Sequence, residues 1–169
     1  MALNPLSSLI PRIPRPAGAR KKGKVTVDDA VTTIGQFRNG ALANLEATRF
    51  AHGRKNSITL EINGSAGSLV FDLEEMNRLR YYDAREPDER RGFRDILVTE
   101  ATHPFIKNWW PPGHVIAYEH TFVHTVADFV EAVCAGKSVQ PTFEDGVKNQ
   151  RVLEAISQSA EDRRFVSCR

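Results

Sequence analysis

Cysteine, net charge and long apolar runs are all scarce in this sequence. Among 169 residues only Cys134 and Cys168 carry a thiol. One sits in an apolar helical pattern and the other beside the C-terminus. They make no disulfide framework, so a reducing compartment is expected. The formal net charge is +2, too small to imply a nucleic acid or a membrane surface as partner. No uncharged apolar run approaches the roughly 20 residues that cross a bilayer. The opening Met1–Ile10 is mildly apolar, but the positive charges follow it, the reverse of a secretory leader. The expected location is cytoplasmic.

Motifs that carry chemistry are missing as well. A dinucleotide site needs a strand, Gly-x-Gly-x-x-Gly and a helix, because the pyrophosphate must approach bare backbone at a helix N-terminus. The nearest glycine cluster is Gly64-Ser65-Ala66-Gly67. It opens into Ser68-Leu69-Val70-Phe71, a strand pattern, and so reads as a turn. The full Gly-x-x-x-x-Gly-Lys-Ser/Thr loop of nucleoside triphosphate sites and the Gly-x-Ser-x-Gly elbow of hydrolases do not occur either.

What remains is an ordinary globular composition, 41% hydrophobic and 26% charged. Residues 1–24 hold Pro5, Pro11, Pro14 and Pro16, then the run Arg20-Lys21-Lys22-Gly23-Lys24. Proline this dense prevents a helix and interrupts a sheet ladder, so an extended arm or linker is expected there. Residues 25–169 form the folded domain. Strands are predicted at Val31–Phe37, Ala41–Arg49, Lys55–Ile62, Ser68–Leu73, Asn77–Tyr82 and Phe93–Thr99. Asn39-Gly40 and Asn63-Gly64 supply turns, and the charged stretch Ala84–Gly92 supplies a loop. Phe122, Val126, Phe129, Val130 and Val133 then recur at helical spacing, with Gly136 as the stop. Thr142 with Asp145 three residues on is a carboxylate variant of the capping box and starts a second helix, whose apolar face is Phe143, Val147, Ile156 and Ala160. Strands followed by helices predict an α+β fold: a large open, mostly antiparallel sheet with helices packed on one face.

Three groups of residues could carry function. His120 and His124 are four apart on a predicted helix and could share a metal, but Glu-His-x-x-x-His is not the zinc-protease order, and no metal site is assigned. Both tryptophans stand together in a proline-stiffened stretch, His103-Pro104-Phe105-Ile106-Lys107-Asn108-Trp109-Trp110-Pro111-Pro112-Gly113-His114. Aromatic faces bind the C–H faces of sugars and also fill protein interfaces, so this stretch is either a ligand wall or a packing surface. Basic residues gather at Thr48–Asn56, where Arg49, Arg54 and Lys55 could meet an anionic group or lie in a solvated turn. Glu74-Glu75 and Asp88-Glu89 read as surface charge.

Taken in order, several segments resemble the C-terminal domain of the Gfo/Idh/MocA family, named for glucose–fructose oxidoreductase and inositol dehydrogenase. They are Val25–Ala30, Phe37–Ala41, Glu46–Arg49, Gly53–Asn56, Glu61–Ser65, Gly67–Phe71, Trp109–Pro111 with Gly113-His114, Tyr118-Glu119, Thr121-Phe122 and Ser157–Ala160. The resemblance runs from about Leu6 to Val166. It implies a domain that supplies part of a sugar-like substrate's pocket, and a homo-oligomer formed through the open sheet face. Trp109, Trp110, His114 and Tyr118 are then the substrate-proximal residues. It also implies NAD or NADP for the full-length enzyme, bound by an N-terminal Rossmann domain. The family's usual catalytic lysine lies in Glu-Lys-Pro and is followed by an Asp/His pair. This sequence has no Glu-Lys-Pro and starts downstream of the Asp/His segment, so no catalytic or cofactor-binding residue carries over. No cofactor is expected on this chain alone, nor catalysis by it. The alternative is a stand-alone dimerisation or interaction module.

Overall fold

The computed structural model describes residues 23–24 and 26–168. The expected arm falls almost wholly outside the described residues. Six strands and two helices follow in chain order: β1 Ala30–Gln36, β2 Leu42–Thr48, β3 Thr59–Gly64, β4 Gly67–Asp72, β5 Arg78–Asp83, β6 Arg94–Leu97, α1 Tyr118–Ala135 and α2 Phe143–Asp162. The α+β class holds. The strands form two antiparallel sheets, the hairpin β1–β2 and the four-stranded meander β3–β4–β5–β6. The division falls at residues 50–57, which join no strand ladder. The third strand starts at Thr59, four residues later than expected, because Lys55 is held elsewhere by its backbone.

The meander is amphipathic, as its alternation dictates. Its register places Leu60 opposite Phe71, Ile62 opposite Leu69, Phe71 opposite Leu79 and Leu79 opposite Ile96, all on one face. The other face carries Glu61, Val70, Arg80 and Asp95. There Arg80 pairs with Asp95 at 3.6 Å and lies 4.8 Å from the centre of the Phe93 ring. The apolar face is half-buried towards β5 and β6 and open at β3, where Leu60 and Ile62 are both 54% exposed.

The two Asn-Gly pairs do different work. After β1, the Gly40 amide bonds the Phe37 carbonyl and the Phe37 amide bonds the Ala41 carbonyl. Gly40 alone takes a positive φ, +90°, while the Asn39 side chain accepts from the Ala41 amide. This is a wider hairpin closed by a left-handed glycine. Asn63 and Gly64 instead stay inside β3, and the turn residues are Ser65 and Ala66. Gly67 begins β4 against the backbone of β5: a Cβ there would lie 2.2 Å from the Tyr82 carbonyl oxygen. The glycine cluster thus serves close strand approach.

The end of α1 and the start of α2 are as the sequence indicates. Gly136 is left-handed at φ +61°, and its amide and that of Lys137 bond back to the carbonyls of Val133 and Ala132. Thr142 caps α2: its hydroxyl accepts from the Asp145 amide, and the Asp145 carboxylate accepts from the Thr142 amide. That amide, with the Lys148 ammonium and the Thr142 hydroxyl, holds the Asp145 carboxyl at about 2. The helix faces differ from expectation. On α1 the half-buried residues are His120, Thr121, His124, Asp128 and Ala132, whereas Phe122, Val126, Phe129, Val130 and Val133 remain exposed. On α2, Ala155, Ile156 and Ser159 are half-buried, whereas Phe143 is 98% exposed and Val147 is also exposed. A hydrophobic period identifies an apolar stripe but not what covers it, and here the contacts of α1 are set by its histidines.

Candidate functional site

The segment between β6 and α1 folds back as a tight loop on the helix. Its anchor is Ile106, the most deeply buried apolar side chain among the described residues, with the equally buried Thr99 beside β6. The Thr99 hydroxyl accepts from the Gly113 amide at 3.3 Å, which ties the start of the loop to its end. Further along, the Asn77 side chain spans 39 residues to Ile116. Its carbonyl accepts from the Ile116 amide at 3.0 Å, and its NH2 donates to the Ile116 carbonyl at 2.7 Å. This two-point clamp, placed just before β5, fixes where α1 begins.

Phe105 marks the bend. Its φ of +65° and the bond from the Ile106 amide to the Pro104 carbonyl make a γ-turn, a strained arrangement for a residue with a side chain. The strain is offset by burial of the next residue and by the Phe105 ring, which stacks on His124 at 4.3 Å between centroids. His124 in turn accepts a hydrogen bond at Nε2 from the Trp109 indole at 2.7 Å. An indole N–H only donates, so this bond requires the lone pair on Nε2 and leaves the imidazole proton on Nδ1. Trp109 also meets the His120 ring edge-on at 4.4 Å. His120 accepts the Ala117 amide at Nδ1 and so closes the first turn of α1.

Together these contacts wall an open groove of about 690 Å³ between the loop and α1. Phe105 and Trp109 give it aromatic walls, while Lys107, His124, Asp128 and Glu131 give it polar edges. Such a surface suits a small ligand with both C–H faces and hydroxyls. Of the residues named from sequence, Trp109 lines the groove. Trp110 stands beside it, with 6.4 Å between the two ring systems, and is 45% exposed. His114 is off the groove, with Nδ1 3.0 Å from the Pro111 carbonyl. Tyr118 begins α1, packed edge-on against Phe122 and otherwise exposed. Arg54 is engaged by Glu74 at 2.8 Å, whereas Arg49 and Lys55 make no side-chain ion pair among the described residues.

Sequence reasoning passed over Asp128 and Glu131, included Phe105 and Lys107 only as members of the stretch His103–His114, and weighed His124 only as a metal ligand. The available signal was the helical spacing of His120, His124, Asp128 and Glu131, which marks a polar stripe beside the apolar one. Among the described residues no group of three or more His, Cys, Asp or Glu side chains is arranged to hold a metal ion. No described helix is long and apolar enough to cross a membrane.

Comparison with known proteins agrees with this architecture. A family model described as "Oxidoreductase family, C-terminal alpha/beta domain" matches residues 12–168. The levoglucosan dehydrogenase of Pseudarthrobacter phenanthrenivorans is 42% identical over 150 residues, which cover 88% of this chain and 38% of that protein. Among solved structures, an oxidoreductase domain protein from Kribbella flavida superposes with a TM-score of 0.84 at 54% identity, over 87% of this chain and 39% of the other. A levoglucosan dehydrogenase in complex with NADH and L-sorbose also superposes with a TM-score of 0.84, at 41% identity, over 88% of this chain and 39% of the other. The chain therefore spans about two fifths of the length of these relatives.

Proposed function

Since the chain belongs to the Gfo/Idh/MocA oxidoreductase family, whose C-terminal alpha/beta domain it carries, we propose that it supplies the substrate-side wall of a sugar dehydrogenase. The observation that carries this reading is the aromatic groove in which Trp109 is locked by His124. A tryptophan fixed by its indole N–H presents a rigid face to the C–H side of a pyranose at little entropic cost. In this reading Trp110 extends the wall beside Trp109, His114 and Tyr118 lie off the groove and border the substrate only where it reaches past Trp110, and residues 1–24 serve as an arm or linker. The relatives named for levoglucosan, and the complex with NADH and L-sorbose, suggest a neutral sugar as substrate and NAD as hydride acceptor for the whole protein. The residues of this chain do not fit the cofactor. Its one glycine cluster is taken up by the approach of β4 to β5, and neither Gly-x-Gly-x-x-Gly nor Glu-Lys-Pro occurs in the sequence. No hydride-transfer step is assigned to it, and the chain alone is not catalytic.

Calorimetric titration of the chain with levoglucosan and L-sorbose tests both halves of this reading. Saturable heats are expected, weakened about tenfold by Trp109→Ala. No NADH should accumulate when the chain is incubated with NAD and sugar. Heats unchanged by the substitution would remove Trp109 from the wall, and NADH formation would overturn the non-catalytic assignment.

A second reading is favoured by the open end of the meander, where Leu60 and Ile62 are exposed side by side on one sheet face. Such a patch invites a second copy of the domain. Analytical ultracentrifugation should show a dimer that Ile62→Lys converts to monomer. A monomeric parent chain would dispose of this role.

A further inference from the structure

Glu74 does not lie on the surface as a free charge. Its Oε2 accepts from the Arg54 guanidinium at 2.8 Å and its Oε1 from the Lys55 amide at 3.0 Å. The carboxylate is thus received by a guanidinium and by the backbone N–H of the next residue, across about 20 positions of sequence. A backbone amide that converges with an arginine receives oxyanions, phosphate and carboxylate alike. These bonds hold the Glu74 carboxyl below its ordinary value, the Lys55 amide contributing most, and raise the Arg54 guanidinium. Lys55, with no ion pair among the described residues, adds charge to the same turn.

We propose that the turn Gly53–Asn56 is an oxyanion-binding site that Glu74 occupies from within, so that a phosphate or carboxylate group binds there only when the Glu74 carboxylate is removed. The site is separate from the Trp109 groove and does not rest on its sugar-binding role.

Inorganic phosphate and acetate are the probes, each titrated against sodium chloride at equal ionic strength, with the amide resonances of Lys55 and Asn56 as readout. In the parent chain neither amide should respond beyond the chloride control. Glu74→Gln, which keeps the shape of the side chain, and Glu74→Ala should both give saturable shifts. Adding Arg54→Ala should weaken them about tenfold. Equal binding by the parent chain would show that Glu74 does not occupy the site. The absence of a saturable shift in both Glu74 variants, with the rest of the spectrum retained, would show that the turn receives no external anion.

Discussion

Replacing Gly67 with alanine is expected to lower the melting temperature of the chain by about 5–10 °C, a larger effect than one methyl group causes at most glycines. The added Cβ would sit 2.2 Å from the Tyr82 carbonyl oxygen and 3.4 Å from its carbonyl carbon. Both atoms belong to β5 backbone and cannot swing aside as a side chain would. Relief requires β4 and β5 to part where Gly67 faces Asp83, next to the bond from the Ala84 amide to the Ala66 carbonyl. Overpacking of this kind costs about 1–3 kcal/mol. Gly64 is the internal control. It faces Gly67 across the same turn, yet a Cβ there would meet nothing nearer than the Gly67 carbonyl oxygen at 3.7 Å. Gly64→Ala should therefore leave the melting temperature unchanged or raise it slightly. Calorimetry on the two variants separates a steric cause from a general glycine effect. Equal losses would show that the close approach of β4 to β5 is not what Gly67 is for.

Much of the fold is legible in the residues because the signals are local. Alternation in Ile58–Ile62 and Ser68–Leu73 fixes the faces of β3 and β4, and Thr142 with Asp145 fixes the start of α2 through bonds made within one turn. What could not be read depends on contacts distant in sequence. Glu74 looks like surface charge until the chain returns and sets it against Arg54 and Lys55. Asn63-Gly64 carries a turn signature, but pairing across Gly64 and Gly67 moves the turn to Ser65-Ala66. Phe105 carries no mark of its positive φ. It takes that conformation because Ile106 is buried next to it and His124 stacks on its ring. The groove is legible only in part for the same reason. Trp109 stands out by type and setting, whereas His124, Asp128 and Glu131 become groove residues only once the loop is folded on α1. The exposed stripe of Phe122, Val126 and Phe129 shows the converse: its period reads clearly, and its partner does not follow from it.

The groove depends on where α1 starts, and that makes Asn77 the residue whose loss should be felt furthest from its own position. Asn77→Ala removes both bonds to Ile116 and leaves an amide and a carbonyl without their partners in a half-buried place. At about 1–3 kcal/mol for each group, and with water able to replace part of the loss, the cost is about 2–4 kcal/mol. Two residues later α1 begins, and its His120 and His124 are the groups that hold Trp109. A start that is no longer pinned should loosen both contacts. The expected outcome is faster hydrogen exchange at the Ile116 amide, altered tryptophan emission and loss of the sugar response assigned to the groove. Asn77→Asp gives the intermediate case: the Ile116 amide keeps its acceptor, whereas the Ile116 carbonyl loses its donor and faces a negative charge. Sugar binding should then fall less than in the alanine variant, with the Ile116 amide still protected. If Asn77→Ala lowers stability by this amount and yet leaves the tryptophan emission and the sugar response intact, the clamp is a local fastening, and the groove is held by Ile106 and Thr99 instead.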